Sequence, residues 1–395
     1  MWVEFLIALL VEGYRELMEW WQTRVWWRPA TRPAGEAEEP APVDDERAPA
    51  RARSSDVEGR VARILDRHAR KHVGVEVGVW WEGETWTFAR GRLGADSPDP
   101  PGPETIFEIG SITKVFTATV LADMAEEGLV ALDDPVQRYL PEGVELPVRG
   151  RPITLADLAA QTSGLPRLPK GLVGLSLRQR RNPYAGFTDA HLERAIVGTR
   201  LRGTPGEKVR YSNFGFGLLG YVLALRAGQS YEGLVHERVC APLRLVDTSI
   251  SIPAQALPRF AAGHNRRGQK VPHWDLPTLA GAGALRSTVG DLLRFLELQL
   301  RQPSTRLGRA AWATHEPRAR RGRLAQGLGW ASLPLLGHSV EVLWHNGGTG
   351  GFRSFVGFVK ETETGVVVLS NCARSVDAIG FRILEASGEG FAGRR

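Results

Sequence analysis

The chain has 395 residues, 43% of them hydrophobic, and a formal net charge of +6. That length fits one large domain or two. The near balance of Lys and Arg against Asp and Glu gives no reason to expect a nucleic-acid partner.

Residues 1–27 place Trp2, Phe5, Leu6, Leu9, Leu10, Tyr14, Leu17, Trp20 and Trp21 at helical spacing, with Glu4, Glu12, Arg15, Glu16 and Glu19 at other positions. The charges interrupt any membrane-spanning run. The apolar stretch is also too short, and lacks the basic segment ahead of it, for an ordinary secretory signal. The pattern predicts an amphipathic Trp-rich leader that lies on a membrane surface or packs against protein. Residues 28–55 carry Pro29, Pro33, Pro40, Pro42 and Pro49 among Ala, Glu, Asp and Arg, with no apolar period. They read as a disordered, partly stiff linker. A single globular domain is expected over 56–395.

Within it, Val57 to His72 reads as a helix with Val57, Val61, Ile64, Leu65 and Ala69 on one face. Val73 to Trp81 reads as a strand, Glu82-Gly83-Glu84 as a turn and Thr85 to Ala89 as the returning strand. Near the other end Gly365 to Leu369 reads as a strand and Ser375 to Ala386 as a helix. The middle is mostly helical. Strands at both ends with helices between predict an α+β fold: one sheet built from distant segments, with a helical lobe from about residue 130 to 285.

The segment Phe107-Glu108-Ile109-Gly110-Ser111-Ile112-Thr113-Lys114 precedes an apolar helix carrying Val115, Phe116, Val120, Leu121 and Met124, with Gly128 as its stop. Ser111 then sits at a helix N-terminus, where its N–H can face a developing oxyanion. Lys114, three residues on, shares its face. A Ser hydroxyl needs a base to become a nucleophile, and a desolvated Lys can serve where Arg cannot. The chain holds six Lys against forty-four Arg, yet uses Lys here. Read alone, the same spacing also describes a capping Ser near a solvated Lys.

Other signals are weaker. Gly215, Gly217 and Gly220 form G-x-G-x-x-G, but inside an apolar helical run, which reads as close helix packing. His68 and His72 have no third partner suggesting a metal, and Cys240 and Cys372 lie in no C-x-x-C pattern and read as buried small hydrophobes, their pairing left open. The runs Arg178/Arg180/Arg181 and Arg318/Arg320/Arg321/Arg323 read as solvated loops, with steering of an anionic substrate as the alternative.

Three motifs in order resemble the serine β-lactamases of class C and the related D-Ala-D-Ala peptidases and esterases, over most of residues 56–390. They are Ser111-Ile112-Thr113-Lys114, Tyr211-Ser212-Asn213 and His345-Asn346-Gly347. Thr162-Ser163-Gly164-Leu165-Pro166 and Gly283-Ala284-Leu285-Arg286-Ser287-Thr288 are lesser matches, with Gln161 where many members have His. The resemblance implies an antiparallel sheet flanked by helices, a mostly helical second lobe and a cleft between them. It implies a serine hydrolase working through an acyl-enzyme on a D-Ala-D-Ala peptide, a β-lactam or a small ester. Ser111, Lys114 and Tyr211 are then the catalytic set. Lys114 is expected to favour the Tyr211 phenolate, and Asn213 to hold Lys114 and a substrate amide. The N–H groups of Ser111 and Gly348 would form the oxyanion hole, with Gly347 allowing close approach. His345, expected on a strand edge, replaces the family's Lys with a mostly neutral group and tilts the reading from β-lactamase toward peptidase or esterase. No cofactor or metal is required. The partner is a small molecule or peptide. An extracytoplasmic or membrane-associated location fits a cell-wall substrate better than a cytoplasmic one. The alternative is a non-catalytic penicillin-binding-like module used for binding or assembly.

Overall fold

One antiparallel sheet of eight strands interleaves the two ends of the chain. A computed structural model describes residues 48–94, 97–172, 181–334 and 340–389. The amphipathic leader, most of the linker and Arg178 and Arg180 lie outside the described residues. Strand β1 (Gly74–Trp81) and β2 (Glu84–Gly91) form a hairpin at one edge. Its two-residue turn has positive φ at both Glu82 (48°) and Gly83 (90°), the handedness that matches the twist of the flanking strands. The sheet continues with β10 (Thr364–Ser370), β9 (Arg353–Val359), β8 (Glu341–Gly348), β7 (Ala331–Pro334), β6 (Leu324–Gln326) and β5 (Ala319–Arg321). A separate two-residue ladder joins β3 (Phe107–Glu108) to β4 (Arg286–Ser287).

Both sheet faces are covered, which explains the nearly continuous Val-rich runs of β1 and β10. Val75, Val77 and Val79 point to one face. There they pack in one apolar cluster with Val57, Val61 and Leu65 of α1 (Ala48–His68) and Ile379 and Ile383 of α9 (Asp377–Glu389). Gly78 points to the other face, where an added Cβ would lie 2.6 Å from Val289, on α7 (Val289–Leu300). Helix α1 begins at Ala48, so the end of the 28–55 segment is helical and not linker. Its Ala and Arg residues favour a helix.

The second lobe carries α3 (Leu155–Ala159), α4 (Asp189–Val197), α5 (Asn213–Ala227) and α6 (Tyr231–Val235). Helix α2 (Thr113–Glu126) runs through the centre, and every residue from Thr113 to Met124 is buried, so it has no solvent face of the expected kind. Its polar groups are satisfied locally. Thr117 and Thr119 donate to the carbonyls of Thr113 and Val115, and Asp123 pairs with Arg238 and Arg306. Helix α8 (Arg306–Ala313) joins it through that last pair. The glycines of α5 serve packing, as read from sequence: an added Cβ at Gly217 would lie 2.3 Å from Leu279, and one at Gly220 would lie 2.9 Å from Gly281. Cys240 and Cys372 are both buried free thiols.

Two local expectations need correction. The Arg318–Arg323 stretch is no irregular loop but the β5–β6 hairpin, turned at Gly322 with φ 62°. Its alternating side chains can stay solvated because β5 is an edge strand. His345 lies on β8, an interior strand hydrogen-bonded to β7 and β9, not on a sheet edge.

Candidate active site

The segment before Ser111 makes a short turn before it becomes a regular helix. Gly110 to Ile112 form one 3₁₀ turn leading into α2, with Gly110 at φ 51°. That left-handed conformation suits Gly, and here the lack of a side chain has a second use: a Cβ on Gly110 would lie 2.6 Å from the Gly348 nitrogen. Gly347 is crowded from the other direction, since its Cβ would lie 2.0 Å from the Ile109 carbonyl oxygen and 3.0 Å from the Ser111 nitrogen. The two glycines let the end of β8 close on the serine turn. Ser354 on β9 donates to the Ile109 carbonyl at 2.7 Å and fixes that approach.

Lys114 is fully buried, and its amine lies 2.9 Å from Ser111 Oγ. It also donates to the Ala282 carbonyl at 2.5 Å. Burial, and then the Arg167 guanidinium, hold its pKa well below the ordinary lysine range. Tyr211 donates its phenol to Ser111 Oγ at 2.7 Å. The structure thus brings together the three side chains first identified by motif. One expectation changes: burial pushes the Tyr211 phenol up to about 12, outweighing the Ser111 hydrogen bond and Arg167, which lower it. The resting group is therefore a phenol, not a phenolate, and of the two bases the amine is the one driven to shed its proton.

Asn213 opens α5, its backbone N–H bonded to the Arg167 carbonyl at 2.9 Å. It does not hold Lys114, which is anchored by Ser111 and Ala282. It lies near the Tyr184 hydroxyl instead and works against the rise that burial gives that phenol. The residue borders the cleft, and its buried Oδ1 has no hydrogen-bond partner among the described residues. His345 also lines the cleft, its ring 6.2 Å from that of Tyr211. Burial, and then the Lys114 charge, push it down to about 3 against the opposing effect of its bond to the Asn346 carbonyl. It is neutral at physiological pH, as expected.

These groups share a cleft of about 310 Å³ between the sheet and the helical lobe. Several of its residues carried little sequence signal. Trp274 stands at the rim, its backbone N–H on Glu108 at 2.9 Å and its ring 5.5 Å from Tyr184. Arg321 and Arg353 reach it from the sheet. Arg167 lies 4.9 Å from the Tyr211 ring centre. Arg167 had a pointer, as the residue after Thr162-Ser163-Gly164-Leu165-Pro166, and Arg321 had one in its Arg-rich run. Trp274 comes from an irregular Pro-containing stretch with no period to mark it. Among the described residues no group of three or more His, Cys, Asp or Glu could hold a metal ion, and no helix is long and apolar enough to cross a membrane.

Comparison with known proteins identifies the chain's family and its relatives. The family model described as Beta-lactamase matches residues 57–386. A beta-lactamase of Pseudomonas fluorescens is 28% identical over 332 residues, covering 75% of this chain and 88% of that protein. The D-alanyl-D-alanine-carboxypeptidase/endopeptidase AmpH of Escherichia coli (strain K12) is 28% identical over 284 residues, 68% of this chain and 71% of that protein. Among solved structures, a D-alanine carboxypeptidase AmpC from Burkholderia cenocepacia superposes with a TM-score of 0.71 at 26% identity, covering 85% of this chain and 99% of that one. A class C beta lactamase from Rhodobacter sphaeroides superposes at 0.72 with 24% identity, covering 86% and 99%, and bears on the fold alone.

Proposed function

Because the chain belongs to the Beta-lactamase family and is accordingly a serine hydrolase, we propose that Ser111 attacks the carbonyl of an amide or ester to form an acyl-enzyme, with Lys114 as its base. The observation that carries this reading is the contact of Ser111 Oγ with both Lys114 Nζ (2.9 Å) and Tyr211 OH (2.7 Å) in one cleft. The Ser111 proton passes to the neutral Lys114 amine as the Oγ–carbonyl bond forms. The Tyr211 phenol, on the same oxygen, then gives its proton to the leaving group and takes one from the deacylating water, and Lys114 returns its proton to Ser111 Oγ as the acyl group departs. We assign the oxyanion to the Ser111 and Gly348 N–H groups, whose approach the bare Gly110 and Gly347 allow; one such donor is typically worth ~3 kcal/mol in the transition state.

A neutral His345 supplies no fixed charge for a substrate carboxylate. We therefore assign the chain to small esters ahead of β-lactams; a cell-wall D-Ala-D-Ala peptide carries the same carboxylate and, as substrate, would require a location outside the cytoplasm. The test is a substrate panel on purified protein: a chromogenic cephalosporin, a D-Ala-D-Ala peptide and a short-chain p-nitrophenyl ester. Turnover of the ester above that of the cephalosporin is expected. Efficient cephalosporin hydrolysis with negligible ester turnover would overturn the assignment.

A further inference from the structure

We infer that Arg167 is a positioning residue for the proton transfer: a permanent cation, held against the Tyr211 ring by the Thr162–Pro166 loop, that disfavours the charged form of Lys114. The inference rests on Ser111 and Lys114 acting as proposed above.

The Thr162-Ser163-Gly164-Leu165-Pro166 loop makes no direct contribution to nucleophile, base or oxyanion donors, yet it is laced to the segment that carries Tyr211. Ser212 donates its hydroxyl to the Pro166 carbonyl at 2.7 Å, and the N–H groups of Asn213 and Phe214 both converge on the Arg167 carbonyl, at 2.9 and 3.2 Å. Gln161, at the loop's start, accepts the Ser212 N–H at 2.7 Å. Gly164 turns with φ 74°, and a Cβ there would lie 2.5 Å from the Gly203 carbonyl, so the path of the loop is fixed. What this bracing delivers is the Arg167 guanidinium, 4.9 Å from the centre of the Tyr211 ring. The Lys114 amine lies at the same 4.9 Å from that centre. Two cations on one ring are therefore about 10 Å apart at most, close enough in a partly buried site for the fixed one to bear on the titrating one.

Of the charged groups on this cleft among the described residues, Arg167 is the one that bears on Lys114. From β8 comes His345, which is neutral at physiological pH. Tyr184 is a buried phenol pushed up by burial. Arg321 from β5, Arg353 from β9 and Asp377 from α9 line the same cleft. Asp377 accepts a hydrogen bond from Asn346 at 2.9 Å, and the Arg353 guanidinium donates to the Thr349 and Phe352 carbonyls at 2.8 and 2.7 Å. Arg167 bears electrostatically on Lys114, Tyr211 and Tyr184 alike. A guanidinium does not titrate in the working range, so its influence is constant where a Lys or His would fade. Raising the cost of a charged Lys114 leaves the amine free to take the Ser111 proton.

The test is the pH dependence of kcat/KM for p-nitrophenyl acetate, measured from pH 5 to 10 on the full chain. The substrate is neutral, so losing Arg167 cannot act through attraction of a substrate charge. In Arg167→Met the acid limb should move up by about one pH unit, an effect of roughly tenfold at pH values below the limb, and the alkaline plateau should stay within about twofold of wild type. Arg167→Gln, made in parallel, should show the same displacement. Arg167→Lys should return the limb close to its wild-type position. A limb that stays put in whichever neutral variant folds, or a uniform loss at every pH, would overturn the inference. Loss of turnover in Ser111→Ala is read separately: if that variant keeps its activity, the underlying mechanism fails. If it loses activity while the limb is unmoved in Arg167→Met, only the role of Arg167 fails.

Discussion

Glu76→Gln should stabilise the protein at alkaline pH and leave it nearly unchanged near pH 5. Glu76 lies in the middle of β1, paired with Leu369 and Ala89. By the two-residue period it shares a face with Gly78 and points into the core under α7. It is 1% exposed, and neither carboxylate oxygen has a hydrogen-bond partner among the described residues. Burial alone raises its pKa from 4.5 to about 8. The folded chain therefore holds a proton that the unfolded chain releases above pH 4.5. Stability from this group is fully present below that value, falls as pH rises toward 8 and is constant above it. At about 1.4 kcal/mol per pH unit, the loss is on the order of 4 kcal/mol between pH 5 and 9, a large part of a typical domain's stability. The assay is urea unfolding of wild type and Glu76→Gln at pH 5, 7 and 9. Other titrating groups cancel in the difference between the two proteins. That difference should widen in favour of the variant with each step in pH. A constant difference, or one that favours wild type at pH 9, would refute the reasoning.

The remaining predictions concern the site and the thiols. Lys114→Arg puts a permanent cation in place of the base, and it cannot accept the Ser111 proton, so acylation should fall at least about 10³-fold, measured by stopped-flow absorbance with p-nitrophenyl acetate. Gly347→Ala places a methyl against the Ile109 carbonyl and the Ser111 nitrogen and should cut kcat by about 100-fold or more, with KM far less affected; unchanged kcat would separate the β8 end from catalysis. His345→Asn should leave the pH profile between 5 and 8 unchanged in shape, because His345 titrates near 3; loss of an inflection in that range would show that the imidazole carries it. Both Cys are buried and free, so a thiol-reactive chromophore should find two groups in denatured protein and close to none in native protein.

Much of this architecture was legible in the residues. The hairpin was marked by Glu82-Gly83 between Trp- and Thr-bearing runs, and β10 by its Val-rich run. The terminal helices followed from their apolar period. Ser111 and Lys114 were visible because a three-residue spacing on a helix start is a local fact, and Tyr211 because its motif resembles a known family. What could not be read was whatever depends on tertiary burial. The Arg318–Arg323 run looks like loop in composition, and only its pairing with β6 makes it strand. The ionisation of Tyr211 was expected to follow its nearest cation, but desolvation dominates inside the cleft. Asn213 was expected on Lys114 from its place in a motif, yet the Ala282 carbonyl, which no side-chain pattern announces, fills that position. Trp274 reaches the rim from a stretch with no period, held there by Glu108, 166 residues away. Arg167 sits between these cases: the loop before it was noticed, and its meaning came only from the ring it faces.

The most direct measurement of the central claim is peptide mapping by mass spectrometry after reaction with a fluorescent penicillin or a fluorophosphonate. A single adduct on the peptide carrying Ser111, absent from Ser111→Ala and greatly slowed in Lys114→Arg, is the expected result. An adduct on any other residue, or labelling that persists in Ser111→Ala, would contradict it.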